Sequence, residues 1–545
     1  MEWKKVFRSP WMAGFIGILA GGSWLLLGLL FGMSVANTLF AFMIIMALSA
    51  MFFRMMIGWL ALIGLIVIVF SALIGRRIKG KRYAVHHQWF TAFIIGVTLT
   101  QSASFLLFDS TVYLGAVMTV PFVLGVILLS AVIAHSLAHD ELSKPDRSKI
   151  TLSEAPLLIS LFSVLVLSLI LILPNLSAVA GLEPKPPPRP ESGYGSGIMP
   201  YEVKSFSREV SYSHEISEWW FGAESTRNWK VHIFLPMNYD SQDTGLAIFL
   251  HGFGGTNVEN YVDTMNSLAG QGLVAIFPEY ASKVDYSSVA DDFEMIHFQG
   301  GTNDPAHLPR YTMALEGIDA ALQFIETDSE IISTLGNTSI DRSHLWIGGH
   351  SMGVGTTFYV VSKALQRGWG DESLVINLEA PWIHAEDSEL RGNMSLLPDH
   401  ALINVVEYEG DTTVAKCLGR WHHERLSTRD NSTVLADEQV RFIVVQNDYH
   451  GFPPLVASHF QQISFVRDTL ANIAYYPRIE AQSDYISSMA TSDPAGAKTA
   501  RNAFMESNGE AVVTGTWSDG TPVNPLLYIS EPLLAEGVDW KACSS

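Results

Sequence analysis

A serine between two glycines is the first feature of this sequence that could do chemistry. Gly349, Ser351 and Gly353 form the pattern G-x-S-x-G within the stretch LWIGGHSMGVG. A nucleophilic serine in this pattern sits at a sharp strand-to-helix turn, where small neighbours permit a strained backbone. The helix N-terminus then favours negative charge that develops beside the serine. The pattern is short enough to arise by chance, so its value depends on the residues around it.

The residues on either side of Ser351 fit such a turn. LWIG is a short apolar run typical of a buried strand, and MGVGTTFYVVSKALQR at 352–367 predicts a helix. A serine that merely caps this helix beside packing glycines is the alternative interpretation. The strand–turn–helix context favours the nucleophile.

A glycine-rich loop upstream could complete the chemistry. In IFLHGFGGTN (248–257) the glycines follow a buried strand and would let backbone N–H groups approach a substrate oxygen. We expect the N–H groups of Phe253 and Met352 to form an oxyanion hole. A tight turn or a phosphate loop is the alternative, but neither G-x-G-x-x-G nor a P-loop pattern is present here, so no nucleotide cofactor is predicted.

An acid and a base follow Ser351 in a workable order. Asp411 in EYEGDTTV and His450 in QNDYHGFP each come after an apolar run that predicts a strand. A histidine can take the serine proton, and a carboxylate can fix the imidazole tautomer. We therefore predict a Ser351–His450–Asp411 triad. The competing acids are Glu379, Glu409 and Asp448, and the competing histidines are His384, His422, His423 and His459.

Metal-ligand spacing is weak in this sequence. His422 and His423 in RWHHERL predict a solvated helical face, and the sequence has no H-E-x-x-H. We expect neither a metal nor another cofactor.

The elements that must position these residues follow from the pattern after about residue 201. Short apolar runs alternate with helical patterns, which predicts βαβ units and a mostly parallel, doubly wound sheet covered on both faces. Because the carboxyl ends of parallel strands share one edge, residues at several strand ends can meet there. No internal repeat is visible.

The first part of the chain has a different composition. Five apolar stretches predict a transmembrane domain of five or six helices at 1–175, followed by a Pro/Gly-rich linker at 176–200 and an acidic domain of alternating strands and helices at 201–545. Basic clusters near the stretches predict that the last span carries the third segment to the outside, so a multi-pass cell-membrane protein with an extracytoplasmic domain is expected. The apolar stretches lie at 11–33, 37–75, 91–108, 112–134 and 155–174.

Charge and cysteine content limit the partners. Residues 1–180 carry a net charge of +6 and the rest of the chain −26, which argues against nucleic acid as a partner. Cys417 and Cys543 could form one disulfide or remain two free thiols. The sequence gives no indication of oligomeric state.

Taken in order, the segments HGFGG, GHSMG, EGDTTV and DYHG resemble the α/β-hydrolase superfamily across about 201–480. HGFGGTN…LAGQGLVAIFPEY and EAPW are most similar to the branch of dienelactone hydrolases, chlorophyllases and cutinase-like polyester hydrolases. The resemblance implies a Ser–His–Asp esterase, with the oxyanion hole at Phe253 and Met352.

The expected activity is that of a serine hydrolase that cleaves a small or lipid-like carboxylic ester. Tyr280 and Trp382 could line an apolar acyl pocket, or could equally belong to the core. Two alternatives remain open: an acyltransferase that passes the acyl group to an envelope lipid or glycan, and a non-catalytic receptor-like module.

Overall fold

The fold is described from a computed structural model of the 545-residue chain. The described residues are Met12, Phe15, Ile16, Leu19, Ile216 and Leu435, together with 181–213, 227–239, 241–282, 307–382, 394–411, 413–414, 417–428 and 438–529.

The prediction of a transmembrane helical domain is corrected by the structure. Among the described residues, no helix combines the length and the apolar character needed to cross a bilayer. The five apolar stretches that prompted the prediction lie outside the described residues, apart from Met12, Phe15, Ile16 and Leu19.

Nine strands form one sheet in the described part of the chain, in the order β1-β2-β4-β3-β5-β6-β7-β8-β9. The run from β4 through β3, β5, β6 and β7 to β8 is parallel, whereas β1, β2 and β9 pair antiparallel with their neighbours. The strands are β1 (Val203–Glu209), β2 (Lys230–Pro236), β3 (Asp243–Leu250), β4 (Val274–Pro278), β5 (Ser339–His350), β6 (Ser373–Glu379), β7 (Leu402–Tyr408), β8 (Val440–Val445) and β9 (Leu527–Ile529).

Helices cover both faces of this sheet. The described helices are α1 (Val262–Gly270), α2 (His307–Thr327), α3 (Ser329–Leu335), α4 (Met352–Gln366), α5 (Cys417–Thr428), α6 (Tyr476–Ala490) and α7 (Pro494–Met505).

Alternation along β5 shows which helices share a face. Leu345 and Ile347 are buried in the apolar core with residues of α2, α4 and α5. Trp346 points the other way, because its indole Nε1–H donates to Gln482 of α6 at 2.9 Å. The mostly parallel sheet between two helical layers agrees with the α/β part of the prediction.

The chain divides into two compact units. Residues 1–186 belong to one unit together with Tyr449–Pro454, and Pro187–Asp448 with Leu455–Ser545 form the other, which contains the sheet. Within the first unit, Phe452 N–H donates to Pro184 O at 3.0 Å.

The second half of the predicted linker is part of the sheet-containing unit. Gly195 N–H donates to Glu480 Oε2 at 2.6 Å, and the Tyr194 hydroxyl donates to Asp484 Oδ2 at 2.5 Å. Both carboxylates belong to α6. The segment 187–200 is therefore held against a helix that packs on the sheet.

Candidate active site

Ser351 occupies a sharp turn between β5 and α4. Its backbone has φ of 57° and ψ of −121°, in the left-handed half of conformational space that L-residues rarely adopt. Ser351 N–H donates to Glu379 O at 2.9 Å, which ties the turn to the end of β6. The serine hydroxyl makes no capping bond with the helix that it precedes. A strained backbone and a hydroxyl that is not used to cap the helix are what a nucleophile at this turn requires.

The glycines around Ser351 are there for space. A Cβ on Gly353 would lie 2.1 Å from Leu250 O, and one on Gly349 would lie 2.5 Å from the backbone of Gly353. Helix α4 therefore begins in direct backbone contact with β3 and β5, and larger residues would push the turn away from the sheet.

The HGFGG loop is held from both sides of Phe253. Gly252 N–H donates to the Tyr261 hydroxyl at 3.1 Å, and Gly254 N–H donates to Ser282 Oγ at 2.8 Å. A Cβ on Gly252 would lie 3.2 Å from Ser351 Cβ, so this loop touches the serine turn. Phe253 therefore lies in a loop that is fixed next to Ser351.

Met352 supplies the other candidate donor. It is the first residue of α4, so no carbonyl within the helix can accept from its N–H. The neighbouring donors are used, since Ser351 N–H binds Glu379 O and Val354 N–H binds Ser351 O.

Asp411 hydrogen-bonds with His459, not with the histidine that we predicted. His459 Nδ1 lies 2.7 Å from Asp411 Oδ2, and both side chains are buried. Because a carboxylate only accepts, Nδ1 carries the proton, and in the neutral imidazole it is Nε2 that has the lone pair. The other carboxylate oxygen, Oδ1, accepts from the backbone N–H groups of Thr413 and Val414 at 2.7 and 3.1 Å. The carboxylate is thus fixed on both oxygens.

His459 lies beside the serine turn. Its ring centroid is 4.7 Å from that of His350, the residue immediately before Ser351. His350 Nε2 also lies 2.9 Å from the backbone oxygen of His459. The structure therefore brings Ser351, His459 and Asp411 to one edge of the sheet.

The predicted base, His450, lies in the loop after β8. It is exposed, and it belongs with Tyr449–Pro454 to the other compact unit. Both histidines follow β8, so the order serine, aspartate, histidine is the same for either. The DYHG segment drew attention to the first histidine, and no sequence signal showed that the loop continues to a second one that turns back to Asp411.

The competing acids have other partners. Glu379 forms a fully buried ion pair with Arg478 at 2.9 Å. Glu409 accepts from Asn447 N–H at 2.7 Å. Asp448 accepts from the Trp517 indole at 3.1 Å.

The paired histidines of α5 differ from the prediction of a solvated face. His422 and His423 are buried, with the His422 ring stacked on Phe358 at 4.8 Å and the His423 ring 5.8 Å from Phe442. His384 lies outside the described residues, as does Cys543, so the disulfide prediction is not tested. Within the described ranges no group of three possible metal-ligating side chains occurs.

The two predicted pocket residues have different positions. Tyr280 is fully buried, stacks on the His251 ring at 3.8 Å and donates its hydroxyl to His251 O at 2.5 Å. Its contacts place it beneath the HGFGG loop, as a support. Trp382 is half-buried; its ring packs edge-on against Phe253 at 6.4 Å, and its backbone N–H donates to Ser351 O at 3.4 Å. Phe253 and Trp382 thus form an aromatic pair beside the serine.

The imidazole of His251, which packs with Tyr280 beneath the HGFGG loop, is neutral. Burial lowers the pKa of its imidazole to about 4, and hydrogen bonding to the Gly252 carbonyl only partly offsets this. Nδ1 donates to Gly252 O at 2.9 Å and Nε2 accepts from Tyr280 N–H at 3.3 Å. The residue is committed to loop structure, not to proton transfer.

Comparisons with known proteins give limited likeness. No protein-family model matches this chain. No curated protein matches it either. Similar solved structures include a mutant of esterase rPPE, at 14% identity with 53% of this chain and 83% of that chain covered and a TM-score of 0.32. Another comes from work on two fungal esterases from Rhizomucor miehei, at 14% identity, 54% and 85% coverage and a TM-score of 0.33. Function is therefore inferred from the geometry of the site itself.

Proposed function

We propose that this chain is a serine hydrolase that cleaves carboxylic esters with Ser351 as nucleophile, His459 as base and Asp411 as the acid that orients it. The observation that carries this is the buried Asp411–His459 hydrogen bond beside a serine held at positive φ on a helix N-terminus. His459 replaces His450 in the triad because it is the histidine that Asp411 binds.

The chemistry follows from the hydrogen-bonding roles of these groups. Ser351 Oγ attacks the ester carbonyl carbon while His459 Nε2 takes the hydroxyl proton, and Asp411 steadies the imidazolium. The N–H groups of Phe253 and Met352 donate to the oxyanion, and collapse expels the alcohol with the proton from His459. Water then attacks the acyl-enzyme, with the same base, and releases the acid and Ser351.

The aromatic pair supports an apolar substrate group. Phe253 and Trp382 are half-buried and flank the serine, so they offer an apolar surface to the acyl or alcohol part of an ester. A chain-length series of p-nitrophenyl esters on the full-length protein tests this. We expect kcat/KM to rise from acetate to medium-length acyl chains, whereas a flat series would exclude an apolar acyl subsite.

Fluorophosphonate labelling of the full-length protein tests the nucleophile. Labelling and ester hydrolysis should disappear in Ser351→Ala, and labelling that persists in this variant would refute the assignment. Ser207→Ala is a matched control, because Ser207 Oγ also bonds an imidazole, His232 Nδ1, at 2.7 Å but lies in a regular strand. We expect this control to be labelled like the wild type.

Two other predictions are open to direct experiment. Product analysis with added alcohol acceptors distinguishes hydrolysis from acyl transfer, since a transferase would form the new ester in preference to the acid.

The extracytoplasmic location stays a prediction; protease digestion of intact cells checks it, and protection of the sheet-containing unit would contradict it.

A further inference from the structure

His350 connects three loops that the proposed chemistry uses. It immediately precedes Ser351 at the end of β5 and is almost fully buried. One ring nitrogen, Nδ1, lies 2.9 Å from the Tyr261 hydroxyl, and the other, Nε2, lies 2.9 Å from His459 O. Tyr261 in turn accepts from Gly252 N–H in the HGFGG loop at 3.1 Å.

The donor and the acceptor of each hydrogen bond in this series around His350 can be assigned. A backbone carbonyl only accepts, so His350 Nε2 must carry a proton and donate to His459 O. Burial lowers the pKa of His350 well below its ordinary value, because it disfavours the charged ring, so the ring is neutral and Nδ1 is an acceptor. Tyr261 then donates to Nδ1, which leaves its oxygen to accept from Gly252 N–H.

We propose that His350 and Tyr261 are positioning residues that set the distance of the His459 imidazole and the HGFGG loop from Ser351. This inference rests on the proposed triad. His350 Nε2–H holds the backbone of the residue that carries the base, and Tyr261 holds the glycine before Phe253. Neither side chain takes part in bond making, so their effect should fall on kcat, with substrate binding little changed.

Substitutions that keep or remove the donor test the role of His350. His350→Phe removes the Nε2 donor, and we expect kcat to fall roughly 10- to 100-fold with KM within about threefold of wild type. His350→Gln keeps an N–H donor at a similar reach, and we expect it to restore kcat to within about fivefold of wild type. A Gln variant that loses as much kcat as the Phe variant would overturn the proposal.

A double-mutant cycle tests the link to Tyr261. Tyr261→Phe removes the hydroxyl from both neighbours, and we expect a kcat loss of roughly 3- to 10-fold. If the two residues act as one chain, the double variant should lose less than the product of the single losses. Losses that multiply fully would show that the residues act independently and would reject the connection.

His344→Phe is the matched structural control. His344 is buried on the same strand, six residues earlier, and its Nδ1 lies 2.9 Å from Ser373 Oγ. Melting temperatures of all variants are measured together with the kinetics, and we expect the His344 variant to lose stability without losing kcat. A similar kcat loss in this control would mean that His350 acts only through folding.

The outcome also separates this inference from the triad itself. If Ser351→Ala abolishes labelling while folded His350→Phe keeps wild-type kcat, the triad stands and the positioning role fails. If Ser351→Ala keeps activity, the triad fails first.

Discussion

At the scale of single residues, Ser207 and Ser351 show what distinguishes a candidate nucleophile. Ser207 Oγ bonds His232, whose Nε2 lies 3.1 Å from Glu279 Oε1, so a serine, a histidine and a carboxylate are connected here too. Ser207, however, lies within β1 and pairs with His232 of β2, whereas Ser351 has positive φ at the start of a helix. The backbone conformation of Ser351, more than the side chains near it, distinguishes it from Ser207.

The two histidines after β8 give a direct prediction. His459→Ala should lower kcat/KM for a p-nitrophenyl ester by at least about 1,000-fold, since it removes the proposed base and leaves Asp411 without its imidazole. His450→Ala should change kcat/KM by less than about twofold. Steady-state kinetics on the two full-length variants decide between them, and the reverse pattern would restore our original assignment of His450.

The buried His251 predicts a pH dependence of stability. Its pKa of about 4 is below the ordinary value of 6.5, so between these pH values the unfolded chain binds a proton that the folded chain does not. Stability should therefore fall as the pH drops through this window, by up to about 1.4 kcal/mol per pH unit from this residue. Above pH 6.5 the contribution is constant.

Urea unfolding at pH 7, 6 and 5 measures this contribution of His251 to the free energy of unfolding. His251→Gln should show a shallower loss of unfolding free energy than wild type, and exposed His450→Gln should not. Burial raises the pKa of Glu480 and of Asp484, which act in the opposite direction, but both carboxylates are present in every variant and cancel in the difference. Equal slopes for wild type and His251→Gln would contradict the assignment.

At the scale of elements, α6 carries a polar network into the core of the sheet. Arg478 pairs with Glu379 of β6, and the Glu379 Oε2 atom also accepts from the Tyr408 hydroxyl of β7 at 2.6 Å. Gln482 donates to the side-chain oxygens of Asn377 and Asn404 at 3.1 and 2.8 Å. These bonds fix the position of α6 along strands β6 and β7, and hence the end of β6 that binds Ser351 N–H.

Removal of one partner from this buried pair should be costly. Arg478→Met leaves the Glu379 carboxylate without its cation, and we expect the free energy of unfolding to fall by about 3–5 kcal/mol. Arg342→Met, which breaks a partly exposed pair with Glu326, is the control and should lose less than about 1 kcal/mol. Chemical denaturation checks both, and a small loss in Arg478→Met would show that Glu379 is satisfied without Arg478.

The sequence predicts best those features of the candidate site that depend on residues close together in the chain. The turn around Ser351 and the position of Asp411 depend on neighbouring glycines and on strand ends. Both can be recognised in the sequence, from the glycine motif and from the apolar patterns of the strands. The choice of His459 depends on the path of a loop after β8, and the buried histidines of α5 depend on tertiary packing against Phe358 and Phe442. Neither leaves a periodic signal. The nine-strand order likewise follows from long-range pairing that no short window contains.

At the scale of the whole molecule, the segment 187–200 extends the sheet-containing unit beyond its first strand. Gly195 has φ of 86°, and a Cβ there would lie 2.7 Å from both Asn472 O and Pro477 Cγ. Gly520 has a similar φ of 88° with no atom within 4 Å of such a Cβ. The two glycines therefore share a positive φ and differ in how closely other atoms surround them.

This pair measures how firmly the segment is docked. Gly520→Ala should cost about 1 kcal/mol of unfolding free energy from backbone strain alone. Gly195→Ala should cost roughly 1–3 kcal/mol more, because the added methyl group must displace the segment from the chain around α6. Equal losses in denaturant titrations would show that the segment contributes nothing to the stability of this unit.

The hydroxyl of Ser351, which does not cap its helix, bears on how the function of this fold could change during evolution. A serine that precedes a helix commonly stabilises it by about 1 kcal/mol through a capping bond, but Ser351 makes none. Under the proposed function, its loss would thus abolish catalysis while the scaffold, the aromatic pair and the loops around them persist. A duplicated copy could then lose the proposed activity in a single substitution and persist as a binding protein for the same class of molecule.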